Sequence, residues 1–277
     1  MIQKKIDSLT LWFFENLLTH KRIGHFVSTR VSGRSDPPYH SLNLSFNVGD
    51  DPDKVLKNRK LLAGALGIPL ASVTTAKQIH DGHVKVVSEA LRGRGSTNYQ
   101  GAVNATDAMV TDTENTCLMI LLADCVPILF YDPSKRVIGA AHAGWRGTLR
   151  FVAHNTVKVF REDFGCSPED IVVGIGPSIG PCCYQVGQDV VSQVQHVLGA
   201  RQHCISLKSA NGKGYFDLWT ANLKQLIQAG IPEKNIELAK ICTRHHPEVF
   251  FSHRHEKRKT GRFGAGIVIL PSSSHTT

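Results

Sequence analysis

Between Thr116 and Tyr131 the chain is apolar at almost every position, and the run is interrupted at Ala123-Asp124-Cys125. A stretch this short, with an acid in its middle, falls below the roughly 20 apolar residues of a membrane span. It reads as two strands, Thr116 to Leu122 and Val126 to Tyr131, with Cys125 in the break between them. Further strand-like runs are Gly24 to Ser28, Val73 to Val87, Val137 to Ala141, Ile171 to Ile175, Ile236 to Ile241 and Ala265 to Leu270. Helical signals lie between them. Asp51-Pro52 opens a helix as cap and first-turn proline, with Val55, Leu56, Leu62 and Leu66 inward and Gly67 at its end. Gly144 and Gly147 bracket a tight turn, after which Leu149, Val152, Ala153, Thr156, Val157 and Phe160 recur at helical spacing. A helix from about Gln188 to Leu198 and one capped by Asp217 follow, and Leu91 to Asn104 reads as an exposed loop. The pattern predicts an α/β fold with mixed sheets, and 277 residues at 42% hydrophobic content suffice for one large core spanning 1–277.

Composition narrows the functional classes. The amino terminus lacks a signal-peptide cleavage pattern, so a cytoplasmic protein is expected, without a membrane partner. Seven cysteines with no Cys-x-x-Cys pair read as reduced thiols, and in the adjacent pair Cys182-Cys183 at least one reads as a small buried hydrophobe. The net charge of +9 predicts an anionic partner, and the densest basic run is His253 to Arg262. No helix-turn-helix, zinc finger or aromatic-laced binding sheet accompanies it, so a phosphate-bearing small molecule ranks above nucleic acid.

Three strand ends carry good metal ligands: His80, Cys125 and His142. Two imidazoles and a thiolate supply three positions of a tetrahedral zinc and leave the fourth for water or substrate. Taken singly, each has a plainer reading, as a hydrogen-bonded structural histidine or an inert buried thiol. Spacing does not join them, since 45 residues separate His80 from Cys125 and 17 separate Cys125 from His142. Asp124 reads either as the carboxylate that orients a ligand histidine or as a solvated turn residue. The glycines at 174, 176 and 180 are spaced one residue too long for a dinucleotide fingerprint, with Pro177 inside it. The common hydrolase elbow and phosphate-binding loop are absent too.

Ordered segments over nearly the whole chain resemble the YfiH-like, or laccase-domain, proteins, which are described variously as polyphenol oxidases and purine nucleoside phosphorylases. The matching segments are Ser41-Leu42-Asn43-Leu44-Ser45, Asn58-Arg59, Gln78-Ile79-His80, Thr106-Asp107-Ala108, Ala123-Asp124-Cys125-Val126-Pro127, His142-Ala143-Gly144-Trp145-Arg146-Gly147, Gly176-Pro177-Ser178-Ile179-Gly180 with Cys183-Tyr184, Cys242-Thr243 and Thr260-Gly261-Arg262. One departure is Asp81, where the family usually has glycine; it is expected to alter the pocket rim. The resemblance implies a four-layer α/β/β/α sandwich, zinc on His80, Cys125 and His142, phosphorolysis of adenosine, inosine and S-methyl-5'-thioadenosine, and adenosine deamination. Phosphorolysis needs cations to hold phosphate as co-substrate against the sugar, so Arg146 is the first candidate for that contact, with Arg59 and Arg262 behind it. Asn43 and Gln78 are the further substrate-binding candidates, and Asn43 reads equally as a turn cap. Cys125, His142, Arg146 and Asp124 form the expected catalytic group. Rival readings are a cysteine hydrolase or amidase acting through Cys125 and His142, for example on cell-wall precursors, a copper-dependent polyphenol oxidase, and a scaffold role for the basic loop. Copper ranks below zinc, because His245-His246 and His253-x-His255 are the only close histidine groupings of the second half, and neither sits in a Cys-containing copper motif.

Overall fold

The computed structural model describes residues 1–199, 204–207, 213–257 and 259–271. Its strands are β1 (Ile2–Ile6), β2 (Leu9–Phe13), β3 (Ile23–Ser28), β4 (Val73–Thr74), β5 (Val84–Val86), β6 (Ala108–Thr111), β7 (Cys117–Leu122), β8 (Val126–Asp132), β9 (Val137–Ala143), β10 (Val172–Ile175), β11 (Gln185–Val186), β12 (Ile205–Leu207), β13 (Gly214–Phe216), β14 (Ile236–Leu238) and β15 (Phe263–Ile269). The helices are α1 (Glu15–Leu18), α2 (Pro52–Ala65), α3 (Trp145–Leu149), α4 (Val152–Phe164), α5 (Gln188–Leu198) and α6 (Leu218–Gln228). Two six-stranded sheets form, in the orders β1-β2-β3-β15-β7-β4 and β14-β10-β8-β9-β6-β5, beside a small sheet β11-β13-β12. Both large sheets are mixed: β4 runs parallel to β7, β5 to β6 and β10 to β14, while the remaining neighbours are antiparallel.

The apolar run from 116 to 131 now has a physical reason. Its two halves are not a hairpin, because β7 belongs to the first sheet and β8 to the second. Leu118, Ile120 and Leu122 pack between the sheets, whereas Cys117 and Met119 join the cluster that includes Leu62 of α2. On β8, Leu129 and Tyr131 point to the inter-sheet core, while Val126, Ile128 and Phe130 pack with Val152, Val157 and Phe160 of α4. Strands covered on both faces tolerate no polar alternation. The result is the four-layer α/β/β/α sandwich, and Asp124, in the left-handed region at φ 86°, sits where the chain passes from one sheet to the other. Among the described residues, no helix is long and apolar enough to cross a membrane.

Asp51 caps α2 by accepting from the Asp53 amide, α5 has the expected bounds, and Asp217 caps α6 by accepting from the Thr220 amide. Three expectations fail. Val73 to Val87 is a strand only at its two ends; between them the Ile79, His80 and Asp81 amides are taken by a side chain, and His80 lies at φ 60°. The turn at 145–146 is itself the short helix α3, and Phe151 at φ 59° separates it from α4, so the long helix does not start beside His142. The loop 91–104 is partly internal, with Ser96, Ala102 and Val103 buried, because Thr75 pairs with it through Arg94 and Val103.

Candidate metal centre and active site

The fold brings the three dispersed ligands together: His80, Cys125 and His142 place their ligand atoms within 4.8 Å of one another. His80 comes from the loop between β4 and β5, Cys125 from the sheet-to-sheet crossing, and His142 from β9, where it pairs with Pro127 of β8. The two imidazoles meet edge to face at 4.8 Å. Gly144 makes the approach possible, since a Cβ there would stand 3.0 Å from Cys125 Sγ and 3.1 Å from the His80 ring. Burial opposes charge on both Cys125 and His142. Their mutual attraction prevails: the His142 imidazolium draws the Cys125 thiol down to about 6, and the thiolate with Asp107 raises His142 to about 9.

The carboxylate that organises the trio is Asp107, not Asp124. Asp107 is fully buried; its Oδ1 meets His142 Nδ1 at 2.8 Å and accepts from the His80 amide at 2.9 Å, while Oδ2 accepts from the Asp81 amide at 2.7 Å and the Ile79 amide at 3.2 Å. One side chain therefore holds a ligand ring and the backbone that presents a second ligand. Burial works against its charge, but these bonds bring its pKa below the ordinary value. Asp107→Ala is expected to weaken metal binding about 10- to 100-fold, as loss of a carboxylate behind a ligand histidine does. Competition with a chromophoric chelator measures this, and an unchanged affinity would remove Asp107 from that role.

The trio lies in the wall of a cavity of about 450 Å³, within the range of small-molecule sites. Arg59, Arg146, Arg254 and Arg262 line it, and among the described residues Asp124 is the one acid that does. Aromatic rings hold several of these cations in place: Arg59 lies 4.5 Å from the Phe46 centroid, Arg146 4.5 Å from Trp145 and Arg254 5.1 Å from Tyr184. Arg146 is exposed, whereas Arg59 is buried and donates to the carbonyls of Leu44, Gly95 and Ser96. Arg262 is turned partly inward, giving Nη1 to the Thr260 and Gly261 carbonyls, and burial lowers the pKa of both buried guanidiniums. Burial also pushes the Tyr184 phenol up, which keeps it a hydrogen-bond donor on the cavity wall.

Other candidates are placed differently from expectation. Asn43 does not line the cavity; it is fully buried, its Oδ1 accepts from the Ser45 and Arg262 amides, and its Nδ2 donates to Asp50 and the Ser45 carbonyl. No group is left for a sugar hydroxyl, and the residue supports the Arg262 strand start instead. Gln78 lines the cavity but spends both ends of its amide on the Leu121 backbone. The Asp124 carboxylate accepts from Thr243 Oγ1 and the Arg254 amide, each at 2.7 Å, so it fixes the wall next to Cys125 rather than a histidine. Asp81 turns away to pair with Arg150. From the basic run, His253, Arg254 and Arg262 reach the cavity, while Arg258 lies outside the described residues. Sequence reasoning assigned no role to Asp107, Tyr184 or the rings of Phe46 and Tyr99. For Asp107 a signal existed: an acid directly before the apolar Ala108–Thr111 needs partners from elsewhere in the chain.

Comparison with known proteins bears on the family and on the fold. A family model described as multi-copper polyphenol oxidoreductase laccase matches residues 24–270. The chain is similar to a protein named purine nucleoside phosphorylase from Bacteroides thetaiotaomicron, 37% identical over 257 residues, covering 92% of this chain and 95% of the relative. It is also similar to adenosine deaminase RL5 from an unknown prokaryotic organism, 34% identical over 244 residues, covering 87% of this chain and 92% of that one. Among solved structures, the hypothetical protein YfiH of Bacillus licheniformis superposes with a TM-score of 0.91 at 34% identity, covering 96% of this chain and 98% of its own.

Proposed function

Because this chain belongs to the laccase-domain, YfiH-like family, we propose that it is a zinc-dependent purine nucleoside phosphorylase, acting through residues 1–277 as one catalytic domain, with adenosine deamination as a second activity of the same cavity. Adenosine, inosine and S-methyl-5'-thioadenosine are the nucleoside substrates and inorganic phosphate is the co-substrate. The observation that carries the reading is a three-ligand metal cluster set in a cavity lined by arginines and aromatic rings.

The donor set fits zinc: two imidazoles and a thiol already drawn toward thiolate, with a buried carboxylate behind one imidazole. Bound there, zinc would supply Lewis acidity and acidify water, the chemistry that attack on purine C6 requires. Phosphorolysis places its demands on the chain itself. Phosphate must be held against the sugar C1′ while positive charge develops on the ribose and the purine departs. Arg146, exposed into the cavity and braced on Trp145, holds the phosphate, and Arg262 and Arg59 add positive potential behind it. Phe46, Tyr99, Trp145 and Tyr184 line the cavity and are the rings against which a flat base would pack, and Tyr184 offers a proton-bearing oxygen to its polar edge.

The test is adenosine with and without phosphate, following adenine, ribose 1-phosphate and inosine. Adenine and ribose 1-phosphate are expected only when phosphate is present, and inosine in both cases. Adenine release that ignores phosphate would make the enzyme a hydrolase. One observation favours a second reading: Cys125 lies beside His142, whose imidazolium draws the thiol down, and this is also the pair a cysteine nucleophile uses. Amide turnover that survives chelation of the metal would support that reading, and oxidation of a phenol by copper-loaded protein would support the chemistry for which the family model is named.

A further inference from the structure

A second cluster of metal-ligating side chains lies outside the cavity. We propose that Cys182, Cys183, Cys242 and His245 form a separate, structural metal site for a thiophilic cation of the zinc type. Their four ligand atoms lie within 4.8 Å of one another. Three thiols and one imidazole make a complete tetrahedral set, which is the pattern of a closed structural zinc site and not of one with a position left open for chemistry. The set joins two segments that are far apart in sequence, the turn after β10 and the turn after β14.

The surroundings are those of a ligand cluster. His245 Nε2 stands 3.1 Å from Cys183 Sγ and its Nδ1 3.8 Å from Cys182 Sγ, so the ring is already directed at the sulfurs. The Gly180 amide donates to Cys242 Sγ at 3.3 Å, a contact that favours the thiolate form of a ligand sulfur. Gly180 is itself constrained, because a Cβ there would stand 2.7 Å from the Trp219 ring and 3.1 Å from Cys182 Sγ. Cys183 and Cys242 are buried and Cys182 and His245 are exposed, which gives an ion a path from solvent and an inner pair of sulfurs to receive it. A role as small hydrophobes accounts for neither the exposed thiol nor the histidine.

The position gives the ion a purpose. Cys183 directly precedes Tyr184, which lines the cavity, and Cys242 directly precedes Thr243, which holds Asp124 beside Cys125. The two segments are otherwise joined by the Ser178–Cys242 bridge and the backbone bonds of Ser178 with Ile241 and Thr243. A metal across them clamps one wall of the catalytic cavity without entering it.

The full chain, equilibrated with zinc in reducing buffer and desalted, is to be counted by elemental analysis. Two zinc ions per chain are expected for the wild type, one for Cys125→Ser, one for the double variant Cys182→Ser/His245→Ala, and none for the triple variant. Reading the second site in the Cys125→Ser background separates it from any failure of the catalytic site. Cobalt exchanged into Cys125→Ser should show thiolate-to-metal charge transfer, and Cys182→Ser, which removes a ligand, should weaken that binding by at least the roughly 10- to 100-fold typical of residues that only support one. Cys182 and His245 are exposed, so their replacement opens no hole in the core, and circular dichroism checks that the rest of the fold persists without the clamp. A Cys125→Ser protein that holds no zinc and gives no cobalt–thiolate band, or a double variant with the wild-type count, overturns the proposal.

Discussion

Cys125→Ser is expected to cost the enzyme its catalytic-site zinc and to lower both phosphorolysis and deamination by roughly a hundredfold or more, beyond the 10- to 100-fold typical of residues that only support a ligand. The sulfur is the one anionic donor of the trio, and the cavity around it is strongly positive. Serine keeps the volume but is not ionised at neutral pH, so the site would present two imidazoles and a hydroxyl, with no anionic donor, to a dication. His142 should respond in a characteristic way. Burial lowers its pKa, and the thiolate and Asp107 raise it to about 9; without the thiolate, the Asp107 contact alone supports the imidazolium, and the pKa falls. Zinc per chain, NMR titration of the histidine and the two activities are the measurements. A variant that keeps full activity after chelation would show that the metal site is not the reaction site.

Arg146→Ala is expected to separate the two activities. Phosphorolysis should fall by about 10²- to 10³-fold, the usual range for removing one group that stabilises developing charge, while deamination changes by no more than a few fold. Only the first reaction needs a bound phosphate as nucleophile. The loss should appear chiefly in the phosphate dependence, because Arg146 lines the cavity from α3 and is braced by Trp145. Arg146→Lys restores charge but not the planar stack or the two-pronged donor, so partial rescue distinguishes charge from geometry. Equal losses in both activities would mean that Arg146 shapes the cavity and does not hold the phosphate.

Local signals in the chain determined what local physics decides. The Asp51-Pro52 start of α2, the Asp217 cap of α6 and the bounds of α5 each follow from capping and helical spacing within a few residues. The apolar runs on either side of 123–125 announced buried strands. Their assignment to two different sheets depended on which partners cover their faces, and no local pattern contains that.

The same division runs through the site. His80, Cys125 and His142 are able to ligate a metal by residue type, but taken singly each reads as well as a structural histidine or a buried thiol. That they converge was decided by β7 and β8 parting at Asp124 and by the Asp107 carboxylate, which pulls the 79–81 backbone out of strand geometry so that His80 meets His142. By type, Asn43 could meet a sugar hydroxyl and Asp124 could orient a ligand histidine, yet their bonds go inward, to Arg262, Thr243 and Arg254. Cys182-Cys183 read as a pair of small thiols until folding set Cys242 and His245 against it. Residue type and short-range periodicity state what each side chain is able to do; contacts between residues tens of positions apart, formed because buried polar groups must find partners, decide which of those capacities meet.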